Sequence, residues 1–387
     1  MRAFNPTLSL LPLAVAAMSE PQIGWRPLPH VSRGQALQTF AAALGTGGLK
    51  SAIATGLPSG GPASPRTVQS IESWASIPVW PVWPTPASPT GGRVRPITPD
   101  PELADPFLLL AHHRHSFSPD DPLRGPFKAV GGALGLPYVG DEGFAMHPHR
   151  GIDIWTYVLD GSDGFLHKDS LGGQCMYRGG ACQFMRSGKG AMHEEMWETR
   201  SDRTTSIELF QLWVNLPARL KLQPPAIRYL GSAWRAPYAE QTVSDARGVA
   251  TRVRTLDGPL LETAHEGQGE TLEARPPVTI RHATIGPGGS WAASVESSHT
   301  ALCYARTGRV QVNGQVLGEV REGSTCHFKR DGDVVWLVNA EDDRSADVLL
   351  LTGAPLHEPI AMGGPIVMNT EQEIAQAYAE LRTGTFL

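Results

Sequence analysis

The chain has 387 residues, with 33 basic against 38 acidic side chains and a formal net charge of −5. The length suffices for two domains, the balanced charge lacks the basic footprint of a direct nucleic-acid binder, and no apolar run is long enough to span a bilayer. With 42 glycines, 33 prolines and many short β-like runs, the composition reads as an all-β protein rich in turns.

Residues 1–65 differ from the rest. They are rich in Ala, Gly, Ser and Pro, and Glu20 is their sole acidic residue, against Arg2, Arg26, Arg33 and Lys50. That composition fits an organellar transit peptide or a disordered leader. The apolar stretch Leu8 to Ala17 makes a secretory signal the competing expectation. A transit peptide would send the protein to a chloroplast or another organelle; otherwise cytoplasm or nucleus is expected.

Strand-like segments begin near Arg66, with Thr67 to Ile71 first. The proline-rich run from Pro78 to Pro86 cannot be a central strand and reads as an edge segment or linker. Asp105 to Leu110 is an apolar run suited to a buried strand. The three histidines of Ala111-His112-His113-Arg114-His115 invite a second metal site, but the Pro/Asp-rich Ser118 to Pro122 follows, and the run is read as a solvated loop. Gly151 to Leu159 is rich in β-branched and aromatic residues and ends at Asp160-Gly161, a hairpin signal. Gly188 to Trp197 enters through glycines and then alternates. Phe210 to Pro217 closes the first half as a strand ended by proline.

A second set of strands follows: Val278 to Ile285, Ala301 to Ala305, Arg309 to Asn313, Val334 to Asn339 and Val348 to Thr352. Turns such as Gly286-Pro287-Gly288-Gly289, Asn313-Gly314 and Asp331-Gly332 separate them. The chain ends in a helix, with a capping box between Thr370 and Glu373, the apolar stripe Ile374, Ala377, Tyr378 and Leu381, and a C-cap at Gly384. The expected division is a leader over 1–65, a metal-binding barrel over 66–218, and a metal-free barrel with the terminal helix over 219–387.

Two residue pairs carry the chemistry: His147 with His149, and His193 with Glu195. Each pair is spaced i, i+2, which puts both side chains on one face of a strand. Two such strands facing each other bring three imidazoles and one carboxylate to a common point, a nitrogen and oxygen donor set suited to a transition metal. The second half has no such pair, and His282, His299 and His327 are isolated, so the second barrel is expected to hold no metal. Cys175, Cys182, Cys303 and Cys326 form no CxxC and read as small apolar fillers in a reducing compartment.

At these residues the chain resembles the pirin family. The matching stretches include Asp105-Pro-Phe-Leu-Leu-Leu, His147-Pro-His-Arg-Gly, Thr156-Tyr-Val-Leu-Asp-Gly, His167-Lys-Asp-Ser-Leu-Gly, Gln183 to Met196, Leu212-Trp-Val-Asn-Leu-Pro, Gly353-Ala-Pro-Leu-His-Glu-Pro and Gly364-Pro-Ile-Val-Met-Asn-Thr, spread from about Arg66 to Phe386. The resemblance implies two stacked cupin barrels, one iron in the N-terminal barrel, and His147, His149, His193 and Glu195 as its ligands. It implies two activities known in the family: quercetin 2,3-dioxygenase, and a redox-sensing, iron-dependent protein-binding module that acts as a transcriptional cofactor.

The chain also departs from the family pattern. Ala111-His112-His113 replaces Asp-Glu-Phe, and Ile152-Asp153 replaces Phe-Glu. Since cupins commonly place a glutamate ligand near that point, Asp153 is an alternative ligand, though its shorter side chain leaves Glu195 ahead.

As an enzyme, the chain is expected to take a flavonol-like molecule and dioxygen, with Glu195 receiving the proton of the flavonol hydroxyl. Iron(II) is the expected metal, and manganese, nickel, copper or zinc suit the same donors. A protein partner is the rival expectation; neither nucleic acid nor membrane is expected as a direct partner, and the pattern fits a monomer.

Overall fold

The computed structural model describes residues 63–78, 83–84, 89–134, 142–230, 239–256, 268–269, 275–313 and 319–387. The expected leader lies outside these residues except for 63–65.

Leaving aside three two-residue segments, the first half forms β1 (Val68–Ser73), β2 (Pro89–Ile97), β3 (Phe107–Phe117), β4 (Gly143–His149), β5 (Ile152–Val158), β6 (Phe165–Asp169), β7 (Gln174–Tyr177), β8 (Cys182–Arg186), β9 (Ala191–Trp197), β10 (Thr205–Asn215) and β11 (Ala226–Leu230). Helices α1 (Pro101–Ala104), α2 (Arg124–Ala133) and α3 (Ala218–Lys221) interrupt them. The second half forms β12 (Ala239–Ser244), β13 (Ala250–Thr255), β14 (Val278–Ile285), β15 (Ser290–Ser294), β16 (Thr300–Thr307), β17 (Arg309–Val312), β18 (Glu319–Arg321), β19 (Ser324–Phe328), β20 (Val334–Asn339), β21 (Ala346–Gly353), β22 (Ala361–Gly363), β23 (Ile366–Met368) and helix α4 (Glu371–Thr383).

These strands make two barrels, each from a large and a small antiparallel sheet. In the N-terminal barrel the large sheet runs β11-β8-β5-β10-β3-β2 and the small one β4-β9-β6-β7. In the C-terminal barrel the orders are β1-β19-β16-β21-β14-β13-β12 and β15-β20-β17-β18. The chain is thus all-β, with two cupin barrels and a C-terminal helix. The barrels trade elements across the expected division. β1 pairs with β19 of the C-terminal barrel, and Gln268–Gly269 extends the N-terminal sheet beyond β11.

The two large sheets pack face to face. β5 shows why its sequence has no polar alternation: every residue is buried. Ile154 and Val158 point into the N-terminal barrel, while Trp155 and Tyr157 join Phe184, Phe210, Leu302 and Leu351 between the barrels. A strand covered on both faces reads as a continuous apolar run. The C-terminal barrel is filled by apolar side chains, among them Trp291, Val310, Val335, Leu337 and the two cysteines Cys303 and Cys326.

Polar groups also cross the interface, in two chains of the same order. Arg95 donates to the Tyr304 hydroxyl (3.0 Å), which donates to His112 Nδ1 (2.7 Å), whose Nε2 donates to Glu208 (2.7 Å). Arg254 donates to the Tyr157 hydroxyl (2.7 Å), which donates to His282 Nδ1 (3.1 Å), whose Nε2 donates to Asp347 (2.7 Å). The tyrosine comes from the opposite barrel to the histidine each time. Arg306 ties the chains together, donating to both oxygens of Glu208 (2.9 Å each) and standing 3.5 Å from Asp347.

Several expectations are corrected here. Ala111 to His115 is not a solvated loop: it lies within β3, and His112, His113 and His115 are all buried. The Pro/Asp-rich segment that suggested a loop begins only after the strand ends. Asp160-Gly161 does turn, but no hairpin follows. β5 pairs with β8 and β10, while the next strand, β6, pairs with β9 in the facing sheet. The turn is a barrel corner.

Of the proline-rich run, Ile77–Pro78 and Trp83–Pro84 sit along β2 at the sheet's edge, as expected. The terminal helix has its capping box at Thr370 and Glu373 and a left-handed Gly384 as C-cap. None of its companions is long and apolar enough to cross a membrane among the described residues.

Candidate metal centre

β4 and β9 are adjacent strands of the small sheet, not strands facing across the barrel. Their register sets His193 opposite His147 and Ala191 opposite His149. Alternation along β9 buries Ala191, His193, Glu195 and Trp197 and leaves Met192, Glu194 and Met196 half-buried. A bulge between His193 and Glu195 shifts the register against β4, re-aiming the carboxylate as bulges do. Gly188 and Gly190 both have positive φ, and Gly190 lies so close to Phe386 that a Cβ there meets its carbonyl oxygen at 2.6 Å. Glycine at the entry is therefore required by both conformation and space.

The result is a cluster of imidazoles from three of the four predicted site residues. One ligand atom from each of His147, His149 and His193 lies within 4.8 Å of the others. Among the described residues it is the group of His, Cys, Asp or Glu that meets this spacing. Burial lowers the pKa of all three rings, that of His147 to about 4, so each is neutral at pH 7 and ready to donate a lone pair. His147 Nδ1 donates to the Ala145 carbonyl at 2.8 Å, which leaves its Nε2 as the free donor atom. Neither ring nitrogen of His193 has a hydrogen-bond partner, and His149 has only the Pro365 backbone carbonyl beside its ring. Leaving a buried polar atom unsatisfied costs about 1–3 kcal/mol, and a transition metal is a group that would satisfy several at once. The donor chemistry and the orphaned nitrogens fit a divalent metal.

Glu195 stands beside this triad and outside its 4.8 Å limit. Thr156 donates to its Oε1 at 3.2 Å and Gln211 Nε2 to its Oε2 at 3.0 Å. Burial pushes its carboxyl pKa up, against these two hydrogen bonds. Trp213 in turn donates to Gln211 Oε1 at 3.2 Å and packs edge-on against His149, with ring centroids 5.4 Å apart. Thr156, Gln211 and Trp213 come from β5 and β10 of the large sheet, so barrel closure alone brings them to Glu195. No short motif in the sequence marks them.

Asp153, the alternative ligand, is not part of this cluster. It lies on the opposite face of β5 from Thr156, where Arg186 grips both of its oxygens (2.9 and 3.0 Å) and Arg275 approaches to 3.4 Å. Cys182, Cys303 and Cys326 are buried, all four cysteines are free, and burial pushes the Cys303 thiol up to about 12.

Beneath the cluster the C-terminal segment closes the barrel. Arg150 pairs with Glu380 at 2.7 Å and donates to the Phe386 carbonyl at 2.9 Å. Buried Lys221 donates to three oxygens, those of Gly151 (2.9 Å), Asn215 (2.6 Å) and Val367 (3.1 Å). Helix α4 is thereby anchored to the strand that carries the first histidine pair.

Two family models match the chain, Pirin over residues 93–214 and the Pirin C-terminal cupin domain over residues 280–387. A Pseudomonas aeruginosa protein provisionally named quercetin 2,3-dioxygenase is 32% identical over 290 residues, which cover 74% of this chain and 88% of that protein. Pirin of Homo sapiens is 29% identical over 294 residues, covering 76% of this chain and 87% of the relative. The crystal structure of quercetin 2,3-dioxygenase from Acinetobacter baumannii shares the fold with a TM-score of 0.63 at 24% identity, covering 84% of this chain and 99% of that one.

Proposed function

The chain belongs to the pirin family, and from that premise we propose that it is a metal-dependent dioxygenase that opens the ring of quercetin or a related flavonol with dioxygen. The observation that carries this reading is the cluster of three neutral imidazoles collected inside the N-terminal barrel, two of them buried and His193 with no hydrogen-bond partner on either ring nitrogen. A relative at 32% identity bears this activity in its provisional name.

We assign His147, His149, His193 and Glu195 as the protein ligands of one divalent transition metal, iron in the first instance. Bound there, the metal supplies Lewis acidity toward a flavonol hydroxyl and electron exchange with dioxygen. The chain's own residues prepare the site. The β4–β9 ladder fixes the imidazoles, and the Ala145 carbonyl selects the His147 tautomer. Thr156 and Gln211 hold the Glu195 carboxylate for coordination, and Trp213 holds Gln211. Such supporting hydrogen bonds orient ligands and raise their basicity.

The test is dioxygen uptake with quercetin by protein whose metal has been identified and quantified. Turnover that vanishes in His147→Ala, and that returns to metal-stripped wild type when iron is added, supports the reading. Full metal loading without uptake across a panel of flavonols overturns it and leaves the redox-sensing, protein-binding module as the better account.

A further inference from the structure

His167 and Asp169 form another inward-facing i, i+2 pair, on β6, and the ligand set makes no use of them. His167 is fully buried, and its Nε2 lies 2.9 Å from Asp169 Oδ2. The other oxygen of Asp169 accepts the backbone N–H groups of Leu171 (2.8 Å) and Gly173 (3.0 Å). The Asp169 carboxylate accepts from Nε2–H, which fixes the ring proton on that nitrogen. Nδ1 is buried with no acceptor within hydrogen-bond distance to hold a second proton, so it presents a lone pair.

The His167 ring is close to the candidate metal centre. His167 is the cross-strand partner of Glu195, and its ring centroid is 5.3 Å from that of His193. Glu195 was the expected acceptor for the substrate hydroxyl, but each of its oxygens already accepts a hydrogen bond, from Thr156 and from Gln211. His167 offers an acceptor with nothing bound to it. A buried acceptor left open costs about 1–3 kcal/mol, and a donor brought in by a ligand removes that cost.

We propose that His167 is a substrate-binding residue whose Nδ1 accepts the hydrogen bond of the ligand hydroxyl at the metal end of the barrel, with Asp169 as the positioning residue that fixes its tautomer. The inference rests on the flavonol reading and deepens it. The substrate class it selects carries an O–H at that end, which in a flavonol is the 3-hydroxyl. An analogue without that hydroxyl gains nothing from His167.

The test is equilibrium binding to the metal-loaded protein without oxygen, so that no turnover occurs. The probes are quercetin and luteolin, which differ only by the 3-hydroxyl. In His167→Phe, metal content stays at the wild-type level, quercetin affinity falls about tenfold, the loss of one good hydrogen bond, and luteolin affinity changes less than about twofold. His167→Asn, whose amide oxygen can still accept, recovers part of the loss. Equal weakening of both flavonoids, no weakening of quercetin, or loss of the metal in both variants overturns the proposal. If the wild type itself binds neither flavonoid, the dioxygenase reading falls and takes this inference with it. If the wild type binds quercetin and His167→Phe binds it equally well, this inference alone falls.

Discussion

His147 and His193 stand directly opposite each other on neighbouring antiparallel strands, with their ring centroids 4.4 Å apart. Two desolvated imidazoles at this distance gain nothing from each other, and both nitrogens of His193 lack a partner. A cation shared by both rings would stabilise the arrangement. A ligand that binds the folded chain alone stabilises it by about 2.7 kcal/mol at one hundred times its Kd. Added iron(II) is therefore expected to raise the melting temperature of metal-stripped wild type and to leave His193→Ala unmoved. Equal metal content in the two proteins, or an equal shift in melting temperature, contradicts the assignment of His193 as a ligand.

Gly151 joins β4 to β5 two residues after His149, with φ +80, and a Cβ built there meets the Val367 carbonyl oxygen at 1.9 Å. Its own carbonyl accepts from Lys221. Gly151→Ala both strains the backbone and pushes β23 away, so a destabilisation of about 2–4 kcal/mol is expected. Urea denaturation measures it. The same displacement moves His149, and metal content should fall in parallel. An alanine variant as stable as wild type would show that the C-terminal segment does not press on this turn.

The residues that could be read from the sequence share one property: their meaning is local. His147, His149, His193 and Glu195 were visible because i, i+2 spacing and glycine-rich entries define a strand face without help from the rest of the chain. The capping box of α4 was visible for the same reason. Thr156 and Gln211 were not, since they reach Glu195 only when the two sheets close. His113 and His115 read as loop because the Pro/Asp-rich segment that follows them is a breaker signal, yet the strand runs as far as Phe117. His167 and Asp169 have the same spacing as the ligand pairs, and that signal could have found them. The pairing of β1 with β19, roughly 255 residues away, and the crossed tyrosine–histidine chains are fixed by tertiary packing that no local pattern encodes.

Arg306 holds Glu208 from the N-terminal barrel and Asp347 from its own. Burial raises the Glu208 carboxyl, but the His112 and Arg306 hydrogen bonds outweigh it and hold the group well below the usual carboxylate range. Arg306→Met leaves two poorly solvated carboxylates with one fewer partner each. Breaking a buried ion pair from one side costs about 3–5 kcal/mol; Glu208 keeps His112 and Arg114, so about 2–3 kcal/mol is expected here. A double-mutant cycle with Glu208→Gln isolates the coupling, expected at about 1–3 kcal/mol. A coupling near zero would mean that Arg306 does not link the barrels energetically.

His115 sits on β3 between Phe117 and Trp197, stacked on the first and tilted against the second. Burial drives its pKa from the ordinary 6.5 down to about 3. The folded chain therefore binds fewer protons than the unfolded chain between these values. Stability is fully present above about pH 6.5 and falls as the pH drops toward 3. His112 and His113 shift in the same direction, again through burial, and the depressed carboxyls Glu208 and Asp347 add a further loss below their ordinary values of 4.5 and 3.8. Phenylalanine at position 115 keeps an aromatic ring between Phe117 and Trp197 and has nothing to protonate. In chelator-treated protein, His115→Phe should lose about 2 kcal/mol less stability than wild type between pH 7 and pH 4.5, read from urea midpoints at the two pH values. The difference arises because the unfolded wild type takes up a proton at this site that the folded barrel refuses. Parallel stability losses in the two proteins would show that water reaches His115 and that the inner wall of the barrel is not dry.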